Sequence, residues 1–326
     1  MKYLFQRIAK TKKVCRFTKY TIHSKKKKNM NLIKKTGLIA SMVLVSGILI
    51  HAVSNENITE KNPIVKGYYF PTDVNFAGEK TPLNIADVKE RFDRELLVNA
   101  NLDASTLLII KRANRAFPII EPILKKNGVP DDFKYLAVAE SALINATSSA
   151  GAKGFWQFMP ATAKEYGMEV NDIVDERYHL EMSTEAACKY LLGAYKKFGS
   201  WTLAAASYNG GLGGVNKQIT FQGENNYYDL LLTDETARYV FRIIALKEIM
   251  KNPVQYGFTV NPTELYPLIP TRKVEIDSTI EDLAVFAKSQ GINYKVLKIH
   301  NPWLRDRKLT NATKKKYVLE IPTEGY

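Results

Sequence analysis

The chain has 326 residues, 45% of them hydrophobic, which is enough for one domain of about 200 residues and a second, smaller one. The first 54 residues carry 13 Lys and Arg and no Asp or Glu, so most of the net charge of +14 lies there. The remaining residues carry 34 basic and 33 acidic side chains, and we therefore expect no nucleic-acid partner. Two cysteines, Cys15 and Cys188, imply no disulfide framework.

Residues 1–54 form a basic leader. Met30 opens a second basic stretch and is an alternative start, and an apolar segment follows over residues 36–53. This pattern is typical of a signal peptide, with cleavage after Ser54, or of a membrane anchor, and both interpretations stay open. We expect an exported, periplasmic protein, which residues 36–53 either target or attach to the inner membrane.

Residues 55–76 are mainly polar and predict a tether. Apolar residues at helical spacing then predict one helix from Asn84 to about Asn101 and another from about Ser105 to Gly128. These helices open a predicted all-α domain over residues 77–258.

The next predicted helix carries the most informative residue of the chain. Phe133, Leu136, Ala137 and Glu140 follow the spacing i, i+3, i+4 and i+7, so they share one face. A glutamate on a core-facing surface is partly desolvated, which raises its pKa and allows it to act as a general acid near neutral pH. The alternative is a structural glutamate that is salt-bridged to a basic partner.

A glycine-rich loop follows this helix and ends in aromatic residues and an amide. Residues 145–154 contain turn-forming residues, and Phe155, Trp156 and Gln157 come before a helix start at Pro160. An acid, an aromatic surface and an amide are what a carbohydrate site needs. Both packing and a sugar platform remain open for Phe155 and Trp156.

The later part of the domain is also predicted to be helical. Ser183 is the expected N-cap of a helix that ends at Gly199, and Ser200 or Trp201 begins the next one. Asp234 is expected to cap a further helix over residues 235–250.

The composition changes after residue 258. Residues 259–271 contain three prolines and predict a linker, and residues 272–326 have a strand–helix–helix–strand pattern. This module resembles the LysM glycan-binding module. Because the usual glycine before Asp277 is missing, we keep two interpretations, glycan binding and a structural cap on the larger domain.

Four motifs occur in one order along the larger domain. They are Glu140-Ser141; Ser148-x-x-Gly151-Ala152-x-Gly154-x-x-Gln157-x-x-Pro160-x-Thr162-Ala163; Ala206-Ser207-Tyr208-Asn209-Gly210-Gly211; and Glu235-Thr236-x-x-Tyr239-Val240. Together they resemble the soluble-lytic-transglycosylase domain, a goose-lysozyme-like fold that cleaves peptidoglycan glycan strands. The fold class is therefore predicted as mainly α, with a small βααβ module at the C-terminus.

The resemblance implies a mechanism with one carboxylate. Glu140 would protonate the oxygen between N-acetylmuramic acid and N-acetylglucosamine, and would then take the proton of the muramoyl 6-hydroxyl as a 1,6-anhydro end forms. The reaction needs no cofactor, and the four histidines show no ligand spacing, so we expect no metal. The expected partner is the peptidoglycan strand.

The resemblance also implies substrate-binding roles for residues of the other motifs. Ser148 would lie near the sugar N-acetyl group, with a turn-forming role as its alternative. The hydroxyl of Tyr208 would hydrogen-bond Glu140. The full set of implied substrate-binding residues is Ser148, Gln157, Tyr208, Asn209 and Tyr239.

Two other classes of function remain open. A hydrolytic muramidase or chitinase of the same fold would need a second acid in the cleft. The candidates are the acids that follow the loop: Glu165, Glu169, Asp172 and Asp175. A non-catalytic peptidoglycan-binding protein would keep the cleft without the acid, which the intact Glu140 argues against.

Overall fold

The computed structural model describes residues 69–325. The predicted leader and residues 55–68 of the predicted tether lie outside this range. Within it, no helix combines the length and the apolar character needed to cross a bilayer. Val74 and Phe76, at the end of the predicted tether, are buried in the main core, so the compact body begins before residue 77.

The larger domain consists mainly of helices. Its elements in chain order are β1 (Asn75–Phe76), β2 (Glu79–Lys80), α1 (Ala86–Ala100), α2 (Asp103–Asn127), α3 (Lys134–Ser141), α4 (Pro160–Glu165), α5 (Leu180–Phe198), α6 (Trp201–Gly210), α7 (Leu212–Gln222) and α8 (Asp234–Lys251). The mainly α prediction is confirmed.

Helix α6 lies at the centre of the larger domain. It packs against α5, α7 and α8, and α8 also packs against α1 and α3. Ala204, Ala205 and Ala206 are fully buried, and their small side chains allow the neighbouring helices to approach closely. The core therefore holds α3 and α6, which carry Glu140 and Tyr208.

Several local predictions are confirmed and others are wrong. Helix α6 begins at Trp201, one of its two predicted starts, and the Ser200 hydroxyl caps it by accepting from the Leu203 amide at 3.3 Å. Helix α5, however, begins at Leu180 and not at the predicted cap Ser183, whose hydroxyl instead donates to the Leu180 carbonyl at 3.2 Å. Helix α7 and the short β1–β2 hairpin were not predicted, because α7 follows the glycine pair and each strand has only two residues.

The C-terminal module has the predicted order of elements. Strand β3 (Thr271–Ile276) and strand β4 (Tyr317–Pro322) pair antiparallel, and α9 (Leu283–Ser289) and α10 (Tyr294–His300) connect them. Alternate β4 residues, among them Leu319 and Ile321, enter a second hydrophobic cluster. Val174 and Tyr178 of the larger domain belong to that same cluster.

Candidate active site

Glu140 lies in the last turn of α3, on the face that the sequence predicts. Phe133, Leu136 and Ala137 are fully buried on that face, while Glu140 itself is only partly buried. None of the ion pairs among residues 69–325 involves Glu140, so the salt-bridged structural glutamate is excluded within this part of the chain.

Burial is the main influence on the Glu140 carboxyl and raises its pKa to about 7. The Tyr239 hydroxyl donates a hydrogen bond to Oε1 of Glu140, which lowers the pKa and offsets part of that shift. The negative charge of Glu235 raises the pKa further, and the positive charge of Arg242 lowers it. A carboxyl group with a pKa of about 7 can both donate and accept a proton near neutral pH.

The chain turns sharply after Glu140 to start the glycine loop. Ala142 and Leu143 both have left-handed backbones, with φ of 52° and 56°, and Arg112 donates to the Ala142 carbonyl at 3.1 Å. Ser148 is half-buried, and its hydroxyl oxygen accepts from the Ala152 amide at 3.0 Å. Ser148 is thus a turn former in this structure, and its own hydroxyl proton is not used by a bond among the described residues.

Gln157 has a left-handed backbone with φ of 50°. Its side-chain amide nitrogen donates to the carbonyls of Ala146 and Gly154 at 3.1 and 2.7 Å. Both donor positions of the amide are therefore occupied, and its oxygen remains to accept from a ligand. The loop in this way fixes the orientation of one polar group at its end.

The predicted hydrogen bond from Tyr208 to Glu140 is wrong. The Tyr208 hydroxyl donates to the backbone carbonyl of Trp156 at 2.8 Å, and Tyr239 occupies the place beside Glu140. The reason is geometric: Tyr239 comes from α8, which packs against α3, whereas Tyr208 on α6 faces the end of the loop. Trp156 is fully buried and donates to the Thr184 hydroxyl at 2.9 Å, so the sugar-platform interpretation of Trp156 is excluded.

Asn209 lies next to Tyr208 and connects two parts of the site. Its amide nitrogen donates to Glu235 at 3.1 Å, and its oxygen accepts from the Thr236 hydroxyl at 2.8 Å. Glu235 is exposed, so Asn209 holds a carboxylate at the solvent boundary near Glu140.

A pocket of about 280 Å³ lies on the Tyr208 side of the site. Among its lining residues are Gln157, Tyr208 and Asn209, which the sequence predicts, and Glu165, one of the acids that a hydrolytic alternative could use. Within residues 69–325, no group of three or more His, Cys, Asp and Glu side chains is arranged to hold a metal ion.

Two family models match the chain. Residues 117–231 match the Transglycosylase SLT domain, and residues 272–325 match the Soluble lytic transglycosylase C-terminal LysM-like domain. Residues 117–231 are therefore similar to the SLT transglycosylase domain. Glu140, Ser148, Gln157, Tyr208 and Asn209 all lie inside the matched SLT region, whereas Tyr239 lies beyond its end.

Individual proteins are also similar to the chain. Membrane-bound lytic murein transglycosylase D of Escherichia coli is 31% identical over 253 residues, which are 75% of this chain and 54% of that protein. Peptidoglycan transglycosylase of Escherichia phage T7 is 32% identical over 133 residues, 39% of this chain and 10% of that one. The chain therefore spans about half the length of the Escherichia coli protein.

A solved structure of the lytic transglycosylase Slt from Pseudomonas aeruginosa matches with a TM-score of 0.33 and 21% identity. The match covers 46% of this chain and 26% of that one.

The sequence did not reveal the ion pairs that involve Arg242, whose positive charge acts on Glu140. Glu95 on α1 is only 1% exposed and accepts from Arg238 at 2.6 Å and from Arg242 at 3.5 Å. Arg242 is three residues after Tyr239, on the same face of α8, and this spacing was the available signal. Residue spacing within one helix could not predict that Arg238 and Arg242 pair with Glu95, which lies 143 and 147 positions away.

Proposed function

We propose that this chain is a peptidoglycan lytic transglycosylase. It cleaves the β-1,4 bond between N-acetylmuramic acid and N-acetylglucosamine and forms 1,6-anhydromuramoyl ends. This reaction remodels the cell wall. The single observation that carries the proposal is Glu140 at the end of α3, with a pKa raised to about 7 by burial and with Tyr239 bound to its carboxyl. The SLT domain match and the similarity to a lytic murein transglycosylase support the choice of substrate.

Glu140 acts first as an acid and then as a base. Its proton moves to the glycosidic oxygen as the bond from C1 of N-acetylmuramic acid to that oxygen breaks. The 6-hydroxyl oxygen of the same sugar bonds to C1, and its proton returns to the Glu140 carboxylate. No water enters the products, and one carboxyl group suffices because the nucleophile belongs to the substrate.

The surrounding residues orient the acid and hold the sugar. Tyr239 fixes one carboxyl oxygen of Glu140, which keeps the protonated oxygen available to the substrate. We assign substrate contacts to the Gln157 amide oxygen, to the Ser148 hydroxyl proton and to Asn209 together with Glu235. Tyr208 contributes its ring to the wall of the pocket.

The test is digestion of purified sacculi, followed by mass analysis of the chain ends. Anhydro ends are one water lighter than reducing ends, so the wild type is expected to release anhydro products. Glu140→Gln is expected to fold and to release none, because an amide cannot donate and then recover a proton. Glu224→Gln, at an exposed glutamate, is the matched control and should keep full activity. Normal cleavage by Glu140→Gln would show that Glu140 is not the catalytic acid.

A hydrolytic enzyme is the second candidate, because Glu165 lines the same pocket as Gln157 and Tyr208. In that case products carry reducing ends, and Glu165→Gln stops cleavage as completely as Glu140→Gln does. Under the lytic mechanism, Glu165→Gln still yields anhydro ends. The masses obtained with this one variant decide between the two mechanisms.

We further propose that the protein is exported and works in the cell envelope, where its substrate lies. The apolar residues 36–53 would direct export or attach the chain to the inner membrane, and the C-terminal module would contact glycan. Cell fractionation tests the location: release of the protein with the periplasmic contents supports cleavage of the leader, and recovery with the membranes supports an anchor.

A further inference from the structure

We propose that the C-terminal module holds the catalytic loop in its working shape. The catalytic loop is residues 146–158, which carry Ser148 and Gln157, and the connecting segment is residues 169–178, which lies between that loop and the module. The inference rests on the proposed function, since it assigns the module a part in the activity of that site. It differs from glycan anchoring because the module acts through protein contacts and needs no sugar of its own.

A buried arginine joins the connecting segment to the catalytic loop. One terminal nitrogen of Arg177 donates to the carbonyls of Gly151 and Phe158 at 3.1 and 3.2 Å. Two other nitrogens of Arg177 donate to the carboxylate of Asp175 at 2.8 and 2.7 Å. Arg177 and Asp175 are each only 3% exposed. The two bonds to Asp175 fix the plane of the Arg177 guanidinium. The guanidinium in turn holds the carbonyls of Gly151 and Phe158, which lie in the middle and at the end of the catalytic loop.

Direct packing adds to this link. A Cβ on Gly154 would lie 1.8 Å from the carbonyl oxygen of Arg177, so the two backbones touch. The Tyr178 hydroxyl and the Thr147 hydroxyl are 3.2 Å apart and share a hydrogen bond. The catalytic loop is thus held by the connecting segment at its start, at its middle and at its end.

Backbone pairing joins the connecting segment to the module. The Asp175 amide donates to the Trp303 carbonyl at 2.9 Å, and the Arg305 amide donates to the Ile173 carbonyl at 2.7 Å. Val174, which lies opposite Leu304 in this short bridge, is 1% exposed and belongs to the module's own hydrophobic cluster. The same residue, Asp175, therefore pairs with the module through its backbone and with Arg177 through its side chain.

Side chains of the module strengthen the pairing. The Lys315 ammonium donates to Glu169 at 2.7 Å and to Glu176 at 2.8 Å, and the Tyr317 hydroxyl donates to Glu169 at 2.9 Å. The Trp303 ring stacks between His179 and Tyr317, with centroid distances of 5.8 and 5.6 Å. Two ends of the connecting segment are thereby attached to the module. The shape of the connecting segment therefore depends on the module, and the shape of the catalytic loop depends on the connecting segment.

The test uses a double variant on the module side, Lys315→Met with Tyr317→Phe, in the full chain. It removes the three side-chain bonds to Glu169 and Glu176 and keeps the stem and the ring that pack. Lys316→Met is the matched control, at a neighbouring lysine whose side chain is 77% exposed. A variant with only Lys315→Arg keeps the charge and should behave as the wild type.

The first readout is amide hydrogen exchange of the catalytic loop. We expect exchange of the Ser148, Ala152 and Gly154 amides to rise by about tenfold in the double variant, while the helices α5 and α6 keep their protection. Unchanged exchange in residues 146–158, whatever the melting temperature, would overturn the proposal. This readout does not require the protein to be an enzyme.

The second readout is kcat/KM on soluble glycan chains, where binding to a sacculus has no influence. We expect a fall of about tenfold in the double variant and none in Lys316→Met. Wild-type activity on soluble chains, with a loss only in binding to sacculi, would show that the module is a glycan anchor and would overturn the proposal. If the wild type itself cleaves nothing, the proposed function fails, and the exchange result still decides whether the module holds the loop.

Discussion

Replacing Glu140 by glutamine should make the protein more stable at neutral and alkaline pH but not at acid pH. Burial raises the pKa of the Glu140 carboxyl from its ordinary value of 4.5 to about 7. Between those two values the unfolded chain releases this proton and the folded chain keeps it, so rising pH favours the unfolded state. The loss of stability begins near pH 4.5 and is complete above pH 7. A glutamine of the same shape carries no charge and does not have this cost.

The magnitude follows from the difference between the two pKa values. The rise in the pKa of Glu140 from 4.5 to about 7 makes the ionised carboxylate cost on the order of 3 kcal/mol of folding free energy above pH 7. Because the entropy of unfolding grows with chain length, that free energy corresponds to a rise in Tm of roughly 4–6 °C for a chain of 326 residues. The Tyr239 hydroxyl can donate to the amide oxygen as it does to the carboxyl, so this contact changes little between the two proteins.

The assay is thermal unfolding of the wild type and Glu140→Gln at pH 4 and pH 8. At each pH, the Tm of the wild type is subtracted from that of Glu140→Gln, and the two differences are compared. Any effect of the amide that does not depend on pH cancels in this comparison. Glu224→Gln, at an exposed site, serves as the control and should show no such change. A Tm difference that is the same at both pH values would refute a raised pKa. The same pKa predicts that cleavage slows as pH rises through about 7, because the acid loses its proton.

Three substitutions test the local geometry. Tyr239→Phe should keep the fold and lower kcat by roughly ten- to a hundredfold, because the acid loses its orienting hydroxyl. Tyr208→Phe should instead lower stability by about 1 kcal/mol, because the carbonyl of Trp156 loses its donor; a loss of kcat as large as that of Tyr239→Phe would contradict this assignment. Gly154→Ala should destabilise by more than about 2 kcal/mol in denaturant unfolding, since φ is +84° and the added Cβ meets a backbone oxygen. Its control, Gly193→Ala inside α5, meets no atom within 4 Å, and marked destabilisation there would point to a different cause.

The sequence alone determined the elements whose signal is local. The apolar face of α3, the glycine that ends α2 and the strand–helix–helix–strand order of the module all follow from residue spacing and turn chemistry. The position of Glu140 on a core-facing surface was also predictable, because four residues on one helix face suffice to define it. The four ordered motifs indicated a resemblance to the SLT domain, because each motif lies within one short stretch of sequence and can be recognised without the tertiary structure.

Tertiary structure decided which side chains meet. Tyr208 and Tyr239 each belong to one of the motifs, and only the packing of α8 against α3 determines that Tyr239 contacts Glu140. The bond from Arg238 to Glu95 spans 143 positions, and the bond from Lys315 to Glu169 spans 146. Residue spacing describes one helix or strand at a time, whereas such pairs depend on how separate elements cross. The composition near residue 260 predicted a linker, and only the folded chain reveals that the module beyond it shares a hydrophobic cluster with the segment beside the catalytic loop.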